Sequence, residues 1–379
     1  MKLLFDLKAT QPMAKNKRHG GGKYAEVIFY RMVKRGIKFS CFYDSTKWLN
    51  PQIQEMCSTF QIPLYDLNRM SLTEIVQVAD ITRLYSALPS TLASQLILLN
   101  GCEIIGTIHG LRDFETPADK IFYSYNCSYR EIARFLFKKF MPKVFLGRRR
   151  KQFKKLYIDS KVNIVTVSMH SKFSILSYFP QLKDLKIPVF YSPNTSTRES
   201  IRKYSQNEKY FMAVSGNRWQ KNNLRAVMAF DKLVSNGYFK DMRMKITGTL
   251  RTSFKYKIQN IDRFDFMEYV DDKQLEELYA AAYAFVYPSL NEGFGYPPLE
   301  AMKYGVPVIA SPLSSITEVC GDAALYFNPF SVEEIMNRML MIIQPELHDE
   351  YSRRSFTRYG IVKKKQEKDL DLLIDYITQ

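Results

Sequence analysis

The stretch Tyr287–Phe330 reads YPSLNEGFGYPPLEAMKYGVPVIASPLSSITEVCGDAALYFNPF, and the order of residue types within it decides the fold. The apolar run Ala284–Tyr287 leads into it and predicts a buried strand. A loop then carries Glu292, Gly293, Phe294 and Gly295. Pro297 and Pro298 follow where a helix can begin, since a missing N–H costs nothing there and φ is already set. The pattern predicts a helix over Pro297–Tyr304, stopped by Gly305, and a second strand over Val306–Ala310. Strand, loop, helix and strand in this order form the repeating unit of a parallel α/β sheet. The glycines let backbone approach a ligand closely. The helix start offers free N–H groups and a partial positive charge, a natural seat for phosphate.

Working outward, the same alternation recurs on both sides. Strands are expected at Lys2–Asp6, Phe39–Tyr43, Ile104–Ile108 and Asn163–Val167, and again at Phe211–Ser215, Met242–Thr247 and Phe266–Val270. Helices are expected at Tyr24–Lys34, Asn222–Val234 and Asp272–Ala281, with Gly20–Gly22 in a loop ahead of the first. The chain has 379 residues, more than the ~250–300 at which a single core stops growing. The fold class is therefore α/β, with two Rossmann-like domains facing a central cleft, the default ligand site. The Pro-containing stretch Ile187–Asn194 marks the boundary, giving domains over residues 1–194 and 195–355. Residues 356–379 form one helix whose apolar stripe, Leu370, Leu373, Ile374 and Ile377, is expected to pack back on the first domain.

Composition narrows the function classes. Lys and Arg number 55 against 38 Asp and Glu, a net charge of +17, which calls for an anionic partner: nucleic acid, anionic lipid or a phosphorylated substrate. No run approaches the ~18 apolar residues of a membrane span. The opening MKLLFDLKAT is too short for a secretory segment and reads as a buried strand. The 5 cysteines are scattered, with no C-x-x-C pair, so neither a disulfide framework nor a zinc site is indicated and a reducing cytoplasm fits.

Two carboxylates, Glu292 and Glu300, bracket the Gly/Pro turn. Carboxylates accept hydrogen bonds from paired hydroxyls, and a diphosphate would repel them. A ligand with hydroxylated ends and an anionic middle suits this layout, which is the description of a nucleotide sugar. Arg218 and Lys221 follow a predicted strand and would neutralise a leaving diphosphate as its charge builds. His109 ends another strand, on the side of an open α/β sheet where ligands bind. Two other classes remain open. Glu292 and Glu300 also fit the acid and nucleophile of a glycoside hydrolase, and the charge surplus alone fits a basic nucleic-acid-binding α/β protein. A panel of nucleoside diphosphates separates the three.

EGFGYPPLEAMKYGVPVIAS, preceded by FVYPSLN and followed by SSITEVCGDAALYFNP, resembles the donor-site segment of glycosyltransferase family 4, the retaining group with the GT-B fold. The resemblance extends to the Gly loop near the N-terminus, TIHGLRDFE (Thr107–Glu115), TVSMHSK (Thr166–Lys172), SGNRWQKNN (Ser215–Asn223) and EYVDDKQLEELYAAAYAFVYPS (Glu268–Ser289). It implies that Glu292 meets the hydroxyls of the transferred sugar and Glu300 the ribose. Phe294, Gly295 and Tyr296 match backbone positions near sugar and phosphate. Arg218 and Lys221 resemble the basic pair on the diphosphate, and His109 the histidine beside the sugar. Gly21 and Gly22 resemble the glycines facing the diphosphate or acceptor, and backbone near Tyr269 and Val270 is expected to meet the base. Asn194 stands where the family has an Asn-Gly-Val-Asp turn, but here the sequence reads Asn-Thr-Ser-Thr.

The implied reaction moves a sugar from a nucleotide sugar to a hydroxylated glycan or lipid-linked acceptor, with retention, in cell-surface polysaccharide or lipopolysaccharide synthesis. Neither a metal nor another cofactor is called for, because fixed positive groups serve the leaving diphosphate. The remaining charge concentrates in residues 130–155, where Arg130, Arg134, Lys138, Lys139, Lys143, Arg148–Lys151, Lys154 and Lys155 interleave with large apolar residues. Such a segment can lie on an anionic membrane surface, so the protein is expected in the cytoplasm, at the inner face of the membrane, with no nucleic-acid partner.

Overall fold

The computed structural model describes residues 2–12, 20–125, 127–194, 209–249, 258–268 and 270–379. Short runs of apolar residues build two sheets. Leu3–Asp6 forms β1 with all its residues buried, as a strand covered on both faces must be. It is joined by β2 (Ser40–Tyr43), β3 (Leu64–Asp66), β4 (Arg83–Ser86), β5 (Glu103–Ile108) and β6 (Asn163–Thr166). The second sheet comprises β7 (Lys209–Ala213), β8 (Met242–Thr247), β9 (Phe264–Met267), β10 (Ala284–Tyr287), β11 (Val308–Ala310) and β12 (Ala324–Tyr326).

The first sheet runs β3-β2-β1-β4-β5-β6 and the second β12-β11-β10-β7-β8-β9, with parallel pairing throughout. Relabelled from its own first strand, the second order is the same as the first, that of a doubly wound dinucleotide-binding sheet. In such sheets the order of strand addition reverses between the first and fourth strands, and ligands bind beyond the carboxyl ends at that point. Here those pairs are β1/β4 and β7/β10.

The chain divides into two compact units. The first contains residues 1–111, 147–197 and 364–379, and the second contains 112–146 and 198–363. This corrects the expected boundaries in two places. Residues 112–146, expected in the first domain, pack with the second. Phe122 stacks on Phe135 at 4.0 Å and both meet the edge of Trp219. The buried Arg225–Asp119 ion pair and the bond from the Leu224 N–H to the Tyr125 hydroxyl anchor the same stretch. The expected end at residue 355 also falls inside a continuous helix, Pro345–Thr378. Early residues of that helix pack in the second unit, where Ser352 donates to the Gly305 carbonyl. From Lys364 onward they belong to the first. There Leu370, Leu373, Ile374 and Ile377 are buried, Arg31 pairs with Asp371, and the Tyr191 N–H donates to Asp369.

Gly20–Gly22, expected in a loop, form the first turn of the helix Gly20–Lys34. The basic segment is two helices, Tyr129–Phe140 and Pro142–Phe153. Ser128 and Glu131 form a capping box at the first, and the chain breaks at Met141 before Pro142 restarts it.

Candidate active site

Two neighbouring strands of the second sheet deliver the site. After β7 the chain passes through Gly216 and a short turn, Trp219–Lys221, before the helix Asn223–Ser235. A Cβ at Gly216 would lie 2.5 Å from the Thr249 side chain, so only glycine lets the loop lie this close to the end of β8. After β10 the loop Pro288–Gly295 leads into the helix Tyr296–Lys303. Gly295 caps that helix at φ +111°, where other residues are strained. Both loops leave the carboxyl ends of the strands that flank the reversal of strand order.

Glu292 is buried there. Three donors converge on its Oε1: Lys221 Nζ at 2.5 Å, the Tyr287 hydroxyl at 2.8 Å and Ser289 Oγ at 2.5 Å. Lys221 also donates to the Tyr287 hydroxyl at 2.6 Å. The Glu292 backbone is held by Ser314 and Ser315, whose hydroxyls respectively accept from its N–H and donate to its carbonyl. Burial opposes ionisation of Glu292, but the charge and hydrogen bond of Lys221 outweigh it and bring the carboxyl down to about 2. The same burial and the Glu292 charge hold the Tyr287 phenol protonated, well above its usual range.

The other predicted residues fall into place around this centre or elsewhere. Arg218 reaches solvent, yet enough protein surrounds it that desolvation, with Arg112 adding like charge, lowers its pKa. Glu300 lies on the helix Tyr296–Lys303 and bonds the buried Tyr279 hydroxyl. Phe294 is buried and meets the edge of Tyr296 at 5.4 Å. Val270 is half-buried, just before the helix Asp272–Ala281, and Tyr269 lies outside the described residues.

His109, Gly21 and Gly22 belong to the first unit. The His109 Nε2 lies 3.0 Å from the Ala87 carbonyl and its ring stands edge-on to Tyr24 at 4.7 Å. Gly22 is buried, and a Cβ at Gly21 would lie 2.9 Å from the Leu88 side chain.

Sequence reasoning missed several partners: Tyr287 and Ser289 on Glu292, Tyr279 on Glu300, and the short helix Arg112–Glu115, where Glu115 accepts from Asn291 at 2.5 Å. Arg112 and Glu115 both lie in the quoted HGLRDFE and share one face at i and i+3, the one available signal. The spacing Asp369-Leu370-Asp371, a pattern associated with metal binding, is engaged with Tyr191, Lys365 and Arg31. Among the described residues no group of three or more His, Cys, Asp or Glu converges as metal ligands would.

Twin doubly wound parallel sheets of this order are the architecture of the GT-B fold. The family model "Glycosyl transferases group 1" matches residues 196–361. The O-antigen chain mannosyltransferase RfbU of Salmonella typhimurium is 33% identical over 182 residues, 46% of this chain and 49% of that protein. The O-antigen chain mannosyltransferase B of Escherichia coli is 46% identical over 101 residues, 27% of this chain and 26% of that protein. The chain thus spans about half the length of the first relative and a quarter of the second. Among solved structures, Anabaena Alr3699/HepE in complex with UDP and glucose aligns with TM-score 0.66 at 13% identity, covering 100% of both chains. WaaG, a glycosyltransferase involved in lipopolysaccharide biosynthesis, aligns with TM-score 0.62 at 13% identity, covering 99% of both. These two show the fold.

Proposed function

We propose that the protein is a retaining hexosyltransferase that moves a sugar, with mannose the first candidate, from a nucleotide sugar to a hydroxyl acceptor in the synthesis of a cell-surface polysaccharide. The observation that carries this is Glu292, a buried carboxylate held ionised with three donors on one oxygen. Its other oxygen accepts from the hydroxyls of the transferred sugar. Glu300, steadied by Tyr279, takes the ribose. Arg218 and the N–H groups at the start of the helix Tyr296–Lys303 take the diphosphate. The bond from the anomeric carbon to the phosphate oxygen breaks with its electron pair staying on the phosphate. The acceptor oxygen bonds the same face, and its proton passes to a phosphate oxygen. The relatives named as O-antigen mannosyltransferases favour mannose and this biosynthetic setting.

The ionised state of Glu292 argues against the hydrolase reading. A glycosidase acid needs a raised pKa to give up a proton near neutrality, whereas Glu292 sits at about 2. Transfer from UDP-, GDP- and ADP-sugars to a glycan acceptor tests the proposal. Glu292→Gln should lose turnover while keeping its fold, and unchanged transfer removes Glu292 from the site.

The basic segment supports a membrane-bound acceptor and work at the inner membrane face. No helix among the described residues is long and apolar enough to cross a bilayer. At the break between Tyr129–Phe140 and Pro142–Phe153, however, Phe140, Met141 and Val144 are 69%, 51% and 43% exposed, flanked by the exposed Lys139 and Lys143. Apolar side chains ringed by ammonium groups suit an anionic lipid surface. Flotation with anionic liposomes should recover the protein, and neutralising Arg148–Lys151 should release it. Absence of binding by the intact protein refutes this part.

A further inference from the structure

Two guanidinium groups near Glu292 have no acid of their own. Among the described residues neither Arg112 nor Arg218 forms an ion pair, and both reach solvent. Lys221 differs, because it is buried and bound to Glu292 and Tyr287. Arg112 opens the short helix Arg112–Glu115, which the Asn291–Glu115 bond ties to the residue preceding Glu292. It also lines, with Trp219 and Gln220, a cavity of about 260 Å³. From there its charge is felt at Arg218, Lys221 and Glu292. Two guanidiniums and an ammonium gathered around one acid, itself paired with Lys221, cost stability, and folds concentrate such charge where an anion binds.

We propose that Arg112 binds the donor's diphosphate together with Arg218, while Lys221 acts through Glu292. This rests on the nucleotide-sugar reading of the site and changes its division of labour. A sugar diphosphate carries two negative charges, which two unpaired guanidiniums match. When the bond to the sugar breaks, the electron pair remains on the leaving oxygen and adds further negative charge, which planar donor forks are suited to hold.

Binding of UDP, GDP and ADP, with the matching monophosphates, to the intact protein, Arg112→Gln and Arg112→Lys tests this by calorimetry and thermal shift. Arg112→Gln should bind the preferred diphosphate roughly 10- to 100-fold more weakly, the loss of one charge-assisted contact. The monophosphate should lose less, and Arg112→Lys should recover part of the affinity. The ligand-free Tm of Arg112→Gln should hold or rise, because repulsion with Arg218 is relieved. Unchanged diphosphate affinity in Arg112→Gln overturns the proposal. So does a lowered ligand-free Tm with equal losses for mono- and diphosphates, which makes Arg112 structural. If the intact protein binds no nucleoside diphosphate, the donor reading itself fails, and this inference with it.

Discussion

Lys221 and Glu292 are 71 positions apart, yet the ammonium lies 2.5 Å from the carboxylate, with both side chains about nine-tenths buried. A buried pair of this kind contributes little net stability but is costly to break on one side. Lys221→Met leaves the carboxylate unpaired and should lower stability by about 3–5 kcal/mol. Adding Glu292→Gln should recover much of that loss, because the orphaned charge is gone. Urea unfolding of the single and double variants checks both, and additive losses contradict the pairing.

The pair also sets a pH dependence. Glu292 falls from its ordinary 4.5 to about 2 in the fold. Its contribution is therefore fully present above pH 4.5 and is lost as pH falls toward 2. The magnitude is roughly 3 kcal/mol. Glu292→Gln should flatten the acid limb of a stability profile over that window, and an unaltered limb contradicts the assignment.

Asp6 behaves with the opposite sign. It ends β1, accepts from Ser86 at 2.6 Å and from the Ala9 N–H, and burial raises it from 3.8 to about 6. Its ionised form is the costly one, so stability is lost as pH rises from 3.8 through 6. Asp6→Asn keeps an acceptor for Ala9 and should stabilise the protein at pH 7 by up to roughly 3 kcal/mol. The gain should vanish below the ordinary carboxylate range. Thermal melts at acid and neutral pH read the difference.

Arg225 and Asp119 hold residues 112–146 to the second unit. The guanidinium reaches both carboxylate oxygens, at 3.0 and 2.9 Å, and also donates to the Asn222 side chain. Arg225→Met should cost about 3–5 kcal/mol. It should also open residues 112–146 to limited proteolysis before the rest of the second unit unfolds. Equal protection in the variant and the parent contradicts this anchoring role.

Much of the second sheet was legible in the sequence. Met242–Thr247, Asp272–Ala281 and Ala284–Tyr287 form as expected, because their apolar patterns are long or are bounded by caps. The strands Leu64–Asp66, Arg83–Ser86 and Ala324–Tyr326 were not, since three or four residues of mixed burial carry no readable period. Gly20–Gly22 were misplaced because glycine propensity argues for a loop, while packing of Tyr24, Ala25 and Ile28 in the core draws the turn into a helix.

The sequence by itself pointed to the class of chemistry proposed. Glu292, Glu300, Arg218 and the Gly/Pro helix start lie on one loop-and-helix pattern or at a strand end, where local rules of turns, caps and alternation apply. Only the tertiary structure decided which group serves which. It gave Lys221 to Glu292, set Arg112 in one cavity with Trp219 and Gln220, and assigned residues 112–146 to the second unit. The physical reason is that a charge pairs with whatever opposite charge the fold brings within a few ångströms, and spacing along the chain carries no record of that distance.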